Sequence, residues 1–86
     1  MTHEEMRSSI RAFLLRELIS PDDAEDLKDE TDLVTSGILD SIATLKLVSF
    51  LEEEFGIAME AHEIDVDNLN TLPDIVRLVR EKQGQS

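Results

Sequence analysis

Residues 37–42 read Gly-Ile-Leu-Asp-Ser-Ile, and they lie where a long connection runs into a helical pattern. The glycine permits a tight turn, and the two apolar residues after it can anchor the connection in a core. Asp40 and Ser41 then begin the helix, where unpaired N–H groups and a partial positive charge stabilise a phosphate without a deep pocket. The stretch is compatible with an exposed serine that another protein modifies. It is also compatible with a plain helix cap, because Asp and Ser both favour that position.

Helical periodicity surrounds this stretch. Residues 3–19 and 41–55 each place apolar side chains at helical spacing, and residues 72–82 do so after a cap at Thr71. We expect a further short helical turn or two near residues 62–68. The predicted buried faces are Met6, Ile10, Phe13, Leu14 and Leu18 in the first helix, Ile42, Leu45, Val48, Leu51 and Phe55 in the second, and Leu72, Ile75, Val76 and Val79 in the last.

The segments between the helices carry their own signals. Pro21 is expected to end the first helix near Ser20, and Gly56 is placed to end the second. The connection over residues 20–40 is long, and its apolar residues predict that it packs on the bundle. Those residues are Leu27, Leu33, Val34, Ile38 and Leu39. No strand-like alternation of useful length occurs, so an all-α fold with a frayed tail over residues 83–86 is predicted.

Composition narrows the function. The chain has 86 residues, enough for one domain, and its 20 acidic and 8 basic residues give a net charge of −12. This charge disfavours binding to nucleic acid or to anionic membranes, and it favours binding to basic proteins. The lack of cysteine excludes disulfides and thiolate metal sites. Without a signal-peptide pattern or an apolar run of membrane-span length, we expect a cytoplasmic protein with no stable membrane insertion.

The stretch and its surroundings together resemble the acyl carrier protein family, whose Asp-Ser-Leu attachment motif reads Asp40-Ser41-Ile42 here. The matching elements are Thr31-Asp32-Leu33, Ser36 to Ile42, Leu45, Leu47-Val48, Leu51 to Ile57, and the last helix from Thr71. The resemblance covers nearly the whole chain. It implies a four-helix bundle of three main helices and one short helix, with a long loop between the first and second. Residues 1–86 are then a single carrier domain with an ordered core of about 3–82.

The resemblance also implies a function that the chain performs without being an enzyme. Ser41 is expected to accept 4′-phosphopantetheine from coenzyme A through a phosphopantetheinyl transferase, and the thiol of this arm to hold an acyl cargo as a thioester. Asp40 would help to orient the transfer or its metal ion, with Ile42 completing the motif. The expected partners of this monomer are acyl-loading and acyl-processing enzymes with basic docking surfaces, in fatty acid, polyketide or related biosynthesis.

The second helix departs from the family pattern. Ala43 and Lys46 stand where many members carry acidic residues, and the acidic side chains lie instead at Glu52, Glu53 and Glu54. We take Lys46 and these three glutamates as candidate partner-binding residues, although a solvated face explains the glutamates equally well. The departure favours a specialised carrier over the one that serves general fatty acid synthesis.

Other functions remain open from the sequence. An aminoacyl or peptidyl carrier, for example one for D-alanine, would use the same attachment chemistry with a different cargo. An acidic helical module that binds a basic protein and is never modified would need Asp40 and Ser41 only as a cap. A hydrolase would need a base and an oxyanion site around Ser41, and no Gly-x-Ser-x-Gly motif is present. His3 and His62 are far apart and lack partners at metal-ligand spacing, so no metal site is predicted.

Overall fold

A computed structural model describes residues 2–20, Asp22 and residues 27–84, and this part of the chain is helical without any strand. The elements are α1 (His3–Phe13), which a π-helical turn (Leu14–Leu18) continues, α2 (Ser41–Phe55), a 3-10 turn (Ala61–Glu63), α3 (Val66–Leu69) and α4 (Leu72–Gly84). The all-α prediction and the predicted bundle of three main helices and one short helix are confirmed. Every helix of the described residues is too short or too polar to traverse a lipid bilayer.

The core is aliphatic, consistent with a sequence that has three Phe and neither Trp nor Tyr. Phe55 is the one aromatic side chain among the buried apolar residues of the described part. Phe13 of α1 stacks on Phe50 of α2 with 4.1 Å between ring centroids, and Phe50 meets Phe55 edge-on at 6.2 Å. This aromatic contact joins α1 to the C-terminal half of α2.

Helix α1 begins and ends in different ways. At its start, Thr2 Oγ1 accepts a hydrogen bond from Glu5 N at 3.1 Å, and Glu5 Oε1 accepts one from Thr2 N at 3.2 Å. The two bonds form a capping box, which a Thr followed by a Glu three residues later favours at the start of a helix. After Phe13 the α geometry gives way to the π-helical turn, in which Ile19 N donates to Leu14 O at 2.8 Å. The end near Ser20 is confirmed, while Pro21 lies outside the described residues.

The π-helical turn was not predicted, and core packing explains it. Leu14 and Ile19 are both buried, at 0% and 6% exposure. On a regular α-helix these two positions point about 140° apart, so only one of them could face the core. The wider turn brings both side chains to the same side. Burial of two large aliphatic side chains therefore compensates for the less favourable π geometry.

The predicted buried face of α2 is wrong at its N-terminal end. Ile42 and Leu45 are 67% and 60% exposed. A step of three residues falls about 60° short of a full turn, so a row of apolar residues at that spacing drifts around the helix and leaves the core. Steps of four keep closer to one side, and they define the observed face. The buried residues of α2 are Leu47, Val48, Leu51 and Phe55.

The connection before α2 packs on the bundle as predicted. Leu27, Leu33 and Leu39 are buried, and two further apolar residues of the loop, Val34 and Ile38, pack against the core. Gly56 adopts the left-handed conformation after α2 with φ of 65°, which confirms it as the residue that ends this helix. The loop is thus part of the core, and its path into α2 is fixed by burial.

Helix α4 confirms the predicted face and runs further than predicted. All four of its predicted core residues are buried, and Thr71 Oγ1 accepts from Asp74 N at 3.3 Å. The prediction of a frayed tail from Gln83 is wrong, because the helix continues to Gly84 and Gln83 Nε2 donates to Phe55 O at 3.4 Å. Residues 85–86 lie outside the described part.

An ion pair closes the end of α4 against the 3-10 turn. Lys82 Nζ lies 2.9 Å from Glu63 Oε1, and both side chains are 13% exposed. The hydrogen bond from Lys82, and after it the one between the Glu63 carboxylate and the backbone of Glu60, lower the pKa of Glu63 below its ordinary value. The carboxylate is therefore held ionised in the folded protein.

We expect Glu63→Gln to weaken the acid dependence of stability. Because the pKa of Glu63 is lower in the folded than in the unfolded chain, its contribution is complete above the unfolded pKa. It is lost as the pH falls below the unfolded pKa and through the lower folded pKa. Urea unfolding at several pH values should show wild type more stable than the variant at pH 7, with the difference shrinking in acid.

A matched control for this experiment is Glu53→Gln. Glu53 is exposed and forms no ion pair with a described residue, so its replacement removes one negative charge and no partner. We expect this variant to be at least as stable as wild type at pH 7. A wild-type advantage over Glu63→Gln that stays constant down to pH 3 would contradict the role given to the ion pair.

Candidate functional site

The corner between the long loop and α2 is built by Asp40. Its Oδ1 accepts a hydrogen bond from Ala43 N at 2.7 Å, and its backbone oxygen accepts from Thr44 N at 2.9 Å and from Thr44 Oγ1 at 2.8 Å. Of the two capping candidates in the sequence, Asp40 is therefore the N-cap. Ser41 is left as the first residue of the helix.

Ser41 is exposed, and its hydroxyl forms no hydrogen bond with a described residue. The backbone N–H groups of Ser41 and Ile42 have no acceptor there either, as expected for the first turn of a helix. An activating base of this chain is expected within hydrogen-bond reach of the hydroxyl, and no described residue is hydrogen-bonded to it. The geometry offers an accessible oxygen at the positive end of a 15-residue helix, without a catalytic partner among the described residues.

An open groove of about 510 Å³ starts at Ser41. Its lining residues are Val34, Leu39, Asp40, Ser41, Thr44, Leu45 and Ile64. Most of these side chains are apolar, and Asp40 is the one ionisable group among them. The sequence predicts Val34 and Leu45 as residues that pack in the bundle and indicates no role for Ile64. The groove was missed because its walls come from three segments, and nothing in the sequence pairs Val34 with Ile64.

The candidate partner-binding residues of α2 are not equivalent. Lys46, Glu53 and Glu54 are exposed and form no ion pair with another described residue. Lys46 and Glu53, seven positions apart, lie on the same side of the helix as Ile42. Glu52 is half-buried, and its Oε2 accepts a hydrogen bond from Met59 N at 2.9 Å. Its carboxylate thus holds the loop after α2.

The two histidines lie in separate places. His3 Nδ1 is 3.1 Å from Arg80 Nη1. His62 lies in the 3-10 turn, where its ligand atoms and those of Glu60 and Glu63 are within 4.8 Å of one another. Sequence spacing did not single out this group. Glu63 is already bonded to Lys82, as described above, so a metal ion would have to compete with that lysine.

Two variants at Asp40 separate its cap from its charge. We expect Asp40→Ala to lower the free energy of unfolding by about 1 kcal/mol, because Ala43 N loses its acceptor. Asp40→Asn should cost much less, because the asparagine oxygen can accept the same hydrogen bond. Urea unfolding of both variants measures this. An equal loss in both would show that the charge, and not the cap, stabilises the corner.

The chain is similar in sequence to known phosphopantetheine attachment domains and to carrier proteins. Residues 11–79 match the family described as "Phosphopantetheine attachment site". The D-alanyl carrier protein of Streptococcus uberis is 40% identical over 63 residues, which cover 73% of this chain and 78% of that protein. The D-alanyl carrier protein of Streptococcus pyogenes serotype M5 is 39% identical over 62 residues, or 72% of this chain and 77% of that protein.

Proposed function

Because the chain belongs to the phosphopantetheine attachment site family, whose domain holds covalently attached 4′-phosphopantetheine, we propose that Ser41 bears this arm. The observation that carries the proposal is the exposed Ser41 hydroxyl, free of hydrogen bonds to described residues, at the N-terminus of α2. A phosphate joined to it lies at the positive end of the helix, near N–H groups that lack an acceptor. The residues present therefore fit the group.

Each part of the corner has its own role in this proposal. Ser41 Oγ would form a phosphodiester with the arm as adenosine 3′,5′-bisphosphate leaves coenzyme A, and the transferase would take the serine proton, since no described residue is hydrogen-bonded to that hydroxyl. Asp40 fixes the start of the helix through its cap. Leu45 and Ile64 offer apolar surface beside the attachment point. When bound, the arm supplies a thiol that forms a thioester with the cargo. The protein is then a cosubstrate of its partner enzymes and not itself an enzyme.

The exposed face of α2 supports docking of those partners beside Ser41. Ile42 and Leu45 expose large apolar side chains there, and an exposed apolar patch with polar neighbours is typical of a protein-binding surface. Lys46 and Glu53 supply polar neighbours that steer a partner by charge. We propose that the phosphopantetheinyl transferase and the cargo-processing enzymes use this face. Glu52 has a structural role in this face and does not contact the partner, because its carboxylate accepts a hydrogen bond from Met59 N.

We propose an amino acid as the cargo, with D-alanine as the first candidate. The names of the similar proteins support this choice. Both are D-alanyl carrier proteins, and the match with this chain covers 78% and 77% of their length. The positions of Ala43 and Lys46 also support it, because they remove acidic residues that acyl carriers commonly have in that part of the helix. A short acyl chain is the second candidate, and the apolar walls of the groove favour it.

The remaining features of the proposal follow from the arm. We propose that residues 1–86 form one carrier domain that acts as a monomer, since a carrier must present its arm to several partners in turn. Coenzyme A is the source of the arm, which favours the cytoplasm as the place of modification. A role in fatty acid or polyketide biosynthesis, which the sequence led us to expect, would apply only if the cargo is the short acyl chain.

Cargo loading tests the proposed function. The phosphopantetheine-bearing protein is incubated with ATP, D-alanine and a D-alanine-activating ligase, and in parallel with ATP, a short fatty acid and an acyl ligase. We expect the intact mass to increase by one alanyl group in the first reaction, and hydroxylamine to remove it because thioesters are labile to it. Acyl loading without alanyl loading would reverse the order of the two candidates. Loading of neither cargo would contradict both.

A further inference from the structure

The junction of α3 and α4 is tied to the loop before α2 by one side chain, Asn70. Its Oδ1 accepts hydrogen bonds from Val34 N and Thr35 N, both at 3.0 Å, and from Thr35 Oγ1 at 3.3 Å. Its Nδ2 donates to Asp32 Oδ1 at 3.1 Å. The backbone oxygen of Asn70 also accepts from Leu33 N at 2.6 Å. One residue thus satisfies three consecutive backbone N–H groups of a loop that lies up to 38 positions away.

This loop leads directly to the corner at Ser41. Gly37 N donates to Val34 O at 3.1 Å, with a left-handed glycine φ of 86°, and Leu39 N donates to Leu33 O at 2.8 Å. The two bonds close the turn that ends one residue before the cap of α2. The position of Ser41 is therefore connected to Asn70 through a short series of backbone hydrogen bonds.

Asn70 also connects the segments that carry two walls of the groove. Val34 lines the groove on the loop side, and Ile64 lines it on the side that leads into α3. The Asn70 side chain is bonded to the backbone of Val34, while its own backbone N donates to Val66 O at 3.0 Å in α3. The spacing between the two walls beside Ser41 hence depends on this residue.

We propose that Asn70 is a positioning residue for the attachment of phosphopantetheine. Its side-chain hydrogen bonds go to residues 32–35 and not to the Ser41 hydroxyl, and it acts by holding this loop so that Ser41 is presented to the transferase in one arrangement. This role rests on the proposed function of Ser41. It gives the α3–α4 junction a part in the reaction, although that junction lies about 30 positions beyond Ser41 in the chain.

The role predicts a particular kinetic pattern. Without the Asn70 side chain, the loop is expected to occupy several arrangements in a protein that remains folded, because the buried leucines still anchor it. If only a fraction of the molecules is competent to bind, the apparent dissociation constant rises by the inverse of that fraction. The rate at saturation is unaffected, since bound molecules have the competent arrangement. A merely stabilising residue would change neither constant at a temperature where the variant is folded.

The experiment varies the concentration of the carrier at saturating coenzyme A, with a phosphopantetheinyl transferase, and compares KM with kcat. We expect Asn70→Ala to raise KM about tenfold with little change in kcat. The matched control is Asn68→Ala, which removes an asparagine of α3 whose Nδ2 donates to Glu63 O at 3.0 Å and not to the loop over residues 32–35. This control should keep the wild-type KM.

A charge exchange provides a rescue test. Asn70→Asp keeps an acceptor for Val34 N and Thr35 N but loses the donor to Asp32 and places two carboxylates side by side, so we expect a raised KM. The double variant Asp32→Asn/Asn70→Asp restores a donor and acceptor pair with the roles reversed. It should recover a KM close to that of wild type. Hydrogen exchange of the Val34 and Thr35 amides provides a second readout. Asn70→Ala should lose the protection of these amides, and Asn68→Ala should keep it.

The outcomes separate the two proposals. Normal modification of wild type with an unchanged KM in Asn70→Ala, or an equal rise in Asn68→Ala, would overturn the role of Asn70 and leave the function of Ser41 intact. Wild type that takes up no phosphopantetheine would overturn the proposed function, and the role of Asn70 with it. In that event, loss of amide protection in Asn70→Ala would identify Asn70 as a purely structural clamp.

Discussion

Replacement of Ser41 by alanine is expected to abolish the uptake of phosphopantetheine. The proposed attachment uses the Ser41 oxygen itself, and alanine offers no oxygen that could form the ester. The expected effect is complete loss and not a reduced rate. Incorporation of a fluorescent coenzyme A analogue, followed over time with a phosphopantetheinyl transferase, measures it directly.

Ser49→Ala is the matched control for this variant. Ser49 is also an exposed serine of α2, but it lies in the middle of the helix, where the backbone N–H groups are already bonded to other residues. We expect it to be modified neither in wild type nor in Ser41→Ala, and its replacement to leave uptake unchanged. Both variants should keep wild-type circular dichroism, because neither side chain is buried. Uptake by folded Ser41→Ala at the wild-type level would place the arm elsewhere.

Of the substitutions proposed for this protein, Leu51→Ala is expected to lower the free energy of unfolding most. Leu51 is fully buried in the middle of α2, so truncation loses apolar contacts and leaves a cavity, at a cost of about 3 kcal/mol. A domain of this length has a total stability of roughly 4–13 kcal/mol, so the variant loses a large share of it. Its melting temperature should fall by about 15 °C. Thermal and urea unfolding followed by circular dichroism check both values.

Leu45→Ala makes the same chemical change on the same helix. Leu45 is 60% exposed, and its truncation should change stability by no more than about 0.5 kcal/mol. The pair of variants therefore tests the observed orientation of α2 about its own axis. Equal destabilisation by the two changes would mean that Leu45 faces the core, as its spacing from Val48 first suggested, and that the exposed face beside Ser41 is wrongly assigned.

Local signals in the sequence predict most of the fold. The capping pair of Thr2 and Glu5, the cap at Thr71 and the glycine at position 56 lie where the helices begin and end. These features depend only on residues within a few positions of one another, so pattern and chemistry suffice to find them. The apolar faces of α1 and α4 are equally local, because each belongs to a single helix with one buried side.

The orientation of α2 and the geometry of the first helix were not predictable in this way. Ile42 and Leu45 look like core residues by their helical spacing, and they are exposed because the side of α2 that carries Leu47 and Leu51 packs on the core instead. Which side packs depends on the neighbouring helices and the loop. The π-helical turn likewise depends on a core that receives both Leu14 and Ile19. Tertiary packing decides between local patterns that are nearly equivalent.

The site was only partly predictable for the same reason. Asp40 and Ser41 stand out because their motif is contiguous, and the start of the helix lies where that motif predicts it. The groove brings together Val34 and Ile64, and the Asn70 contacts join Asn70 to Val34, so each pair links residues at least 30 positions apart. A single sequence contains no signal for such pairs, so they become visible only once the chain is folded.

The account depends most directly on whether this chain accepts one phosphopantetheine. The measurement is the intact mass of the wild-type protein after incubation with coenzyme A and a broad-specificity phosphopantetheinyl transferase, with circular dichroism to establish that the protein is folded. The account predicts a single phosphopantetheine addition to essentially every molecule. A folded protein whose mass is unchanged would contradict it, and would leave Asp40 and Ser41 as the start of a helix in an acidic module that binds other proteins unmodified.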